Sequence, residues 1–221
     1  MIKILLKILN LLYKKRCYFC GKSGDDSVMC SSCYNKVKYL PCKKFSTANA
    51  ADVYCATVYR DLIKKLIRGV KYHNRRELAY FQAKIMYEYW KNLRISAEEF
   101  VIVPVPLFPK REKHRKYNHM LLVSKEFEKL TNGKCKTEEH IIKRIKNTKP
   151  QYKLTKKERE ENLKDAFELV AGFEMFKDKN ILILDDIFTT GVTLREMVKT
   201  FQSHGFENIV CFTTSCSEHA I

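Results

Sequence analysis

The sequence predicts an α/β domain, a parallel sheet flanked by helices, preceded by a small cysteine-rich module. Three observations lead there. Ile181 to Leu184 is an unbroken apolar run that ends in two acids and a turn-rich segment, the pattern of a strand buried on both faces, as parallel strands are. Short apolar runs at Asp52 to Tyr59 and Phe100 to Val103 are likewise each followed by segments of helical periodicity. Finally, 221 residues with 45% apolar content suffice for one well-buried domain plus a small appendage, and four of the nine cysteines fall in two close pairs near the start.

The first fifteen residues place Lys3, Lys7, Asn10 and Lys14 on one helical stripe, with Ile4, Leu5, Ile8, Leu11 and Leu12 over much of the rest, so an amphipathic helix is expected. Two placements stay open: packing on the rest of the protein, or lying as a cationic helix on an anionic membrane surface. Neither a transmembrane helix nor a signal peptide is expected, because the apolar stretches are short and no small-residue cleavage site follows. Next come Cys17-x2-Cys20 and Cys30-x2-Cys33, separated by nine residues that include Gly21, Ser23, Gly24, Asp25 and Asp26. Two such knuckles joined by a turn bring four thiolates to one tetrahedral zinc ion. A thioredoxin-type redox pair would use one CxxC on a βαβ unit, and the odd, uneven cysteine count argues against a secreted disulfide framework. A four-thiolate site has no open position, so this zinc would be structural. Cys42, Cys55, Cys135, Cys211 and Cys216 have no ligand spacing.

Beyond the module, Asp52 to Tyr59 reads as a strand and Asp61 starts a helix with Leu62, Ile63, Leu66, Ile67 and Val70 inward. Glu77 to Asn92 is a second helix whose aromatics wrap much of its surface, so core packing accounts for most of them. The strand Phe100 to Val103 stops at Pro104-Val105-Pro106, and the basic run Lys110 to Lys116 follows. Asn118 to Leu130 is a helix with Leu121, Leu122 and Phe127 inward, and His140 to Ile145 a strand. Ile142 to Asn162 is too polar for a core element and reads as a mobile basic flap. Its plainer alternative is a solvated helix from Thr155 to Lys164, capped by Thr155 with Glu158.

The strand Ile181 to Leu184 leads into Asp185-Asp186 and Thr189-Thr190-Gly191-Val192-Thr193, and then into a helix with Leu194, Met197, Val198 and Phe201 on one face and Gly205 as its stop. Backbone N–H groups at a helix start, a glycine and three hydroxyls make a cradle for a phosphate. Two adjacent carboxylates would repel a bare phosphate, so they call for hydroxyl donors or a divalent cation beside it. A phosphorylated ribose meets both demands. The charge is uneven: residues 1–150 hold 33 Lys and Arg against 13 Asp and Glu, while residues 151–221 hold 9 against 12. So basic a field draws polyanions, whether nucleic acid, a membrane face or a polyphosphate.

The acid-pair loop resembles the phosphoribosyl-diphosphate (PRPP) loop of type I phosphoribosyltransferases. By that resemblance Asp185 and Asp186 hold the ribose 2′ and 3′ hydroxyls, and Thr189, Thr190, Gly191, Val192 and Thr193 the 5′-phosphate. Taken with the paired CxxC, YRDLIKKLIRGVKY, VIVPVPLFPKR and NTKPQYKLTKKEREENL, nearly the whole chain resembles the ComF family, which is associated with natural competence. Gln151, Leu154, Arg159, Asn162 and Phe167 match the family pattern, whereas Arg115-Lys116-Tyr117-Asn118-His119 stands where members commonly carry Arg-Gly-Phe-Asn-Gln.

The resemblance implies a type I phosphoribosyltransferase-like parallel sheet in residues 46–221, preceded in residues 1–45 by the amphipathic helix and a zinc ribbon. It implies binding of PRPP with Mg2+ in a cytoplasmic protein, peripheral to the inner membrane face if the first helix binds lipid. A role in uptake of single-stranded DNA during transformation follows, with other competence proteins as further partners. Lys71, Arg111, Arg115, Lys149 and Arg159 are candidates for diphosphate contacts. No residue stands out as a general base, so turnover by a phosphoribosyltransferase is left open. The alternative is a non-catalytic single-stranded DNA-binding module with a retained phosphate loop, for which Tyr72 beside Lys71 and Tyr117 beside Lys116 pair stacking with charge.

Overall fold

The computed structural model describes residues 16–23, 27–42, 44–46, 51–148 and 156–220. The expected N-terminal helix, Gly24, Asp25 and Asp26 of the inter-knuckle turn, and Lys149, Gln151 and Leu154 of the expected flap lie outside the described residues.

Five strands run parallel in the order β2 (Asp52–Val58), β8 (Ile209–Cys216), β7 (Ile181–Phe188), β3 (Phe100–Pro104) and β4 (Cys135–Thr137). The two-residue β1 (Phe45–Ser46) adds to β2 in the antiparallel sense. Strand alternation sorts the β7 side chains: Ile181 and Ile183 enter the core on one face, Leu182 and Leu184 that on the other, all four fully buried. On the second face lie α2 (Asp61–Tyr72), α3 (Leu78–Trp90) and α5 (His119–Leu130), numbered after the short α1 (Ser31–Tyr34) and α4 (Pro109–Arg115). Trp90 anchors that core, with ring centroids 5.6 Å from Phe100, 5.7 Å from Phe127 and 5.7 Å from Phe212. Each such buried apolar side chain contributes about 1.5–3 kcal/mol relative to its exposed state. The first face is covered by α7 (Val192–Gln202), through Leu194, Met197, Val198 and Phe201, and by the antiparallel pair of β5 (Ile142–Arg144) and β6 (Phe167–Leu169).

Several elements depart from expectation for local reasons. The strand β8 reads IVCFTTSC, too rich in hydroxyls to signal a core strand, yet Thr213, Thr214 and Ser215 are fully buried because their hydroxyls are hydrogen-bonded inside. In α5 the inward residues are Met120, Val123 and Phe127; Leu121 and Leu122 are only half buried, since the helical repeat from Phe127 passes through 123 and 120. The basic run after β3 forms α4, with Pro109 at its first turn and Lys116 closing it in the left-handed region, φ 69°. In the expected flap, residues 156–163 form α6 (Lys156–Leu163), as the plainer alternative had it, and fully buried Leu163 pins it to the core.

All five parallel strands end at one edge. The chain leaves β7 through α7 toward β8, and leaves β3 through α4 and α5 toward β4, so the connections diverge between β7 and β3. That divergence opens a crevice at the carboxyl edge, where ligands of open α/β sheets bind.

Candidate functional site

At the end of β7 the two acids part company. Asp186 is 4% exposed. Its Oδ2 accepts from Lys71 Nζ of α2 at 2.5 Å and from His119 Nε2 of α5 at 3.0 Å. Burial alone would raise the Asp186 carboxyl, but the Lys71 ammonium and the His119 hydrogen bond outweigh it and hold it well below the usual carboxylate range. Lys71 in turn stays charged, because Asp186 more than offsets its own burial. His119 is 3% exposed and its pKa is lowered, burial prevailing over the attraction of Asp186. The ring is therefore neutral near pH 7. Arg115 Nη1 lies 3.5 Å from His119 Nδ1, and a guanidinium only donates, so Nδ1 accepts and the ring proton sits on Nε2, facing Asp186.

Asp185 is only partly buried and faces the crevice. Its Oδ1 accepts from the Asp186 N–H at 2.8 Å. Burial, and then the adjacent Asp186 charge, push its pKa up to about 7. Beneath the pair, Ser215 Oγ donates to the Asp186 carbonyl at 3.2 Å, tying β8 to the turn.

The Thr loop follows. Gly191 sits at φ 72°, and a Cβ there would stand 2.8 Å from Phe188 Cε2, so the close approach admits only glycine without a shift. It is the N-cap of α7, whose first internal bond runs from the Arg195 N–H to the Gly191 carbonyl at 2.9 Å. The N–H groups before that bond have no partner within the helix itself, and they carry the positive end of its dipole. Arg195 braces the loop from behind: its Nη2 donates to the Thr190 carbonyl and its Nη1 to Glu160 of α6, each at 3.3 Å.

Around these elements lies a cleft of about 800 Å³. Asp185, Asp186, Thr189, Gly191, Val192 and Thr193 line it, as do Lys71, Arg111, Arg115 and Arg159. Thr190 is the loop residue that does not line it, and Lys149 lies outside the described residues. Lys71, a candidate for diphosphate contact, lines the cleft and is paired there with Asp186. The rim carries Tyr72, 55% exposed, with the Arg115 guanidinium 5.1 Å from its ring centre, and Tyr117 with Arg76 at 4.5 Å.

Sequence reasoning missed His119 and Arg144 as cleft residues. Arg144 had a signal: alternation puts it on the apolar face of β5 with Ile142, and it is 6% exposed. His119 had only its departure from the family pattern.

The four cysteines of the N-terminal module meet as expected. Their sulfurs lie within 4.8 Å of one another, with Cys17 to Cys33 and Cys20 to Cys30 each at 3.8 Å. Zn–S bonds of about 2.3 Å in a tetrahedron space sulfurs by about 3.8 Å, so the cluster fits one metal ion. Burial raises the Cys17 thiol, but backbone N–H donors led by that of Cys30 outweigh it and bring it down to about 6, which favours a metal-ready thiolate. The module rests on α2: Lys65 Nζ donates to the Phe19 carbonyl at 3.1 Å, Tyr18 Oη meets His73 Nδ1 at 2.9 Å, and Tyr18 packs against Gly69, where a Cβ would collide with Leu78. Among the described residues no helix is long and apolar enough to cross a membrane.

With this geometry in hand, comparison with known proteins is informative. The phosphoribosyl transferase domain family matches residues 129–219, which include β7, the acid pair and the Thr loop. Competence protein F of Haemophilus influenzae is 30% identical over 154 residues, 68% of this chain and 66% of that protein, so the match spans about two thirds of the relative. The DNA utilization protein YhgH of Escherichia coli K12 is 25% identical over 197 residues, 86% of this chain and 85% of that protein. YhgH of Salmonella typhi is 27% identical over 196 residues, 86% of this chain and 78% of the relative. A five-stranded parallel sheet with this loop at its carboxyl edge, a four-cysteine cluster before it, and these relatives together establish that the chain belongs to the ComF family.

Proposed function

We propose that the protein binds PRPP in the cleft and serves in the use of incoming DNA during natural competence. One observation carries the reading: a single cleft joins the start of α7 and its Thr loop, a partly open carboxylate and several arginines, the complement of a phosphorylated sugar with a second anionic end. In this reading the amides and hydroxyls of Thr189 to Thr193 receive the 5′-phosphate, and Asp185 and Asp186 the ribose hydroxyls. Lys71 reaches a diphosphate only by leaving Asp186, while Arg111, Arg115 and Arg159 already line the cleft. Departure of diphosphate leaves positive charge on the sugar and negative charge on the leaving group, which those arginines answer. Mg2+ bound with the ligand would supply further neutralisation, with Asp185, the partly open carboxylate that lines the cleft, as the residue to hold it. The four cysteines hold a structural zinc that fixes the module of residues 1–45 against the phosphoribosyltransferase-like domain of residues 46–221.

Competence enters through the relatives, one named for competence and others for DNA utilization. Single-stranded DNA binding is favoured by one separate observation, the exposed Tyr72 ring and the half-buried Tyr117 ring each carrying a guanidinium on the cleft rim. Calorimetry tests the ligand. PRPP with Mg2+ is expected to bind the wild type and to lose at least tenfold in affinity in Asp185→Ala/Asp186→Ala; no heat, or equal affinity, overturns the reading. For DNA, affinity should fall steeply with salt and with loss of the Lys110 to Lys116 charges, and insensitivity to both removes that role.

A further inference from the structure

Helix α2 turns three faces to three parts of the chain. Its core stripe is Ile63, Leu66, Ile67 and Val70. A second stripe, at the helical spacing of Leu62, Lys65, Gly69 and His73, meets the cysteine module. Leu62 packs on the module's buried cysteines and Met29, and Lys65 Nζ donates to the Phe19 carbonyl. Tyr18 covers the last turn: its ring lies against Gly69, where a Cβ would stand 3.2 Å from Cε1, and its Oη meets His73 Nδ1 at 2.9 Å. Lys65 Nζ and the Arg75 guanidinium stand 5.1 Å and 5.2 Å from the centre of the same ring. Tyr18 lies between Cys17 and Cys20, inside the first CxxC, so the sulfurs that fit a metal ion also fix its backbone. The third face carries Lys71, whose Nζ reaches Asp186 Oδ2 at 2.5 Å. Tyr117, in the connection between α4 and α5, donates to the Val70 carbonyl at 2.5 Å, and Tyr72 and Asn74 line the cleft beside Lys71. One turn of backbone is thus gripped by the module on one side and by the acid pair on the other. Gly69 and Lys71 are only about 3 Å apart along the helix axis, too close for one to shift without the other.

We infer that Tyr18 is a positioning residue that couples metal in the four-cysteine module to ligand in the cleft: the loaded module holds the last turn of α2, and with it Lys71, Tyr72 and Asn74. Small metal modules owe their order to the ion, so its loss frees Tyr18 from its place on Gly69 and His73. A turn already ordered costs less to bring into a complex than a loose one, so a loaded module favours binding in the cleft. Linkage makes the effect reciprocal, and ligand in the cleft tightens the module's hold on its metal by the same factor. The inference rests on the proposed PRPP reading for its probe, and the brace itself stands apart from it.

Calorimetry of PRPP with Mg2+ on the full-length protein, zinc-loaded and zinc-stripped, measures one side of the coupling. Competition for zinc by a zinc-selective chelator, with and without saturating PRPP and Mg2+, measures the other. Loss of zinc should weaken PRPP about tenfold, and PRPP should raise zinc affinity by the same factor. In zinc-loaded Tyr18→Ala, PRPP affinity should match that of the stripped wild type, and stripping the variant should weaken it no further. A module that matters only for stability would leave the variant as sensitive to zinc as the wild type, and that result overturns the inference. Wild-type PRPP affinity indifferent to zinc overturns it too. Should Tyr18→Ala lose its fold or its zinc, His73→Ala removes the hydroxyl's partner at an exposed position outside the module. It should lower both coupling factors together, and no change in either sinks the proposal. Hydrogen exchange at the His73 and Arg75 N–H groups, both bonded to the Gly69 carbonyl at 3.2 Å, reads the brace without any ligand. Faster exchange on stripping zinc sustains the brace even if PRPP fails to bind and the proposed function falls; unchanged exchange overturns it whatever PRPP does.

Discussion

Asp185→Asn keeps the shape of the side chain and the Oδ1 acceptor for the Asp186 N–H, but removes a charge that the ligand-free cleft disfavours. The folded pKa of Asp185 is about 7, raised by burial and by Asp186. An unfolded aspartate titrates near ~3.9. A raised folded pKa means that the folded state binds the extra proton, so the contribution of Asp185 to stability is fully present below about pH 4 and is lost as pH climbs through 7. Undiminished by solvent, the difference between a folded pKa of about 7 and an unfolded one near ~3.9 would amount to about 4 kcal/mol above pH 7. Because water reaches one side of the cleft, about 1–3 kcal/mol is the better expectation. The variant should therefore unfold later than wild type at pH 8 by that amount, with a much smaller difference at pH 5. Urea titration followed by the fluorescence of Trp90, the only tryptophan and 2% exposed, reads this directly. No gain at pH 8, or the same gain at both pH values, would refute the reasoning.

Three further expectations follow from the same geometry. Asp186→Asn strands the Lys71 ammonium, whose side chain is 19% exposed, and should cost about 3 kcal/mol in urea unfolding at pH 7. The lowered Asp186 pKa contributes stability above pH ~3.9 that is lost as pH falls below it, so the variant should lack that part of the acid limb. Gly191→Ala must hold φ 72° with its Cβ 2.8 Å from Phe188, and should cost about 1–2 kcal/mol in thermal unfolding and weaken PRPP binding in calorimetry. Lys116→Gly relieves a left-handed residue at φ 69° and, after the added chain entropy of glycine, should raise the urea midpoint by a net gain of about 0.5 kcal/mol.

What could be read from residues alone were features written locally. The apolar run into Asp185-Asp186 and the Thr loop marks a buried strand, a turn and a helix start within fourteen positions, and the CxxC pairs carry their ligand spacing openly. Groups assembled by tertiary packing were hidden. Lys71 and His119 meet at Asp186 from two helices far apart in the chain, and nothing near either residue announces the meeting. Strand β8 was hidden for a different reason: its hydroxyls are satisfied by partners such as Gln82, 132 residues away, so local polarity misled. The short strand β4 lies below the length at which periodicity can be recognised. At Lys116, which stands where the family pattern has glycine, the backbone lies in the left-handed region at φ 69°.

The most direct test is a crystal of the metal-loaded protein soaked with PRPP and Mg2+. Phosphate density on the amides of Thr189 to Thr193, with the ribose hydroxyls on Asp185 and Asp186, is the expected result. Phosphate bound elsewhere, or an empty Thr loop with Asp186 still closed by Lys71 and His119 at saturating ligand, would contradict it.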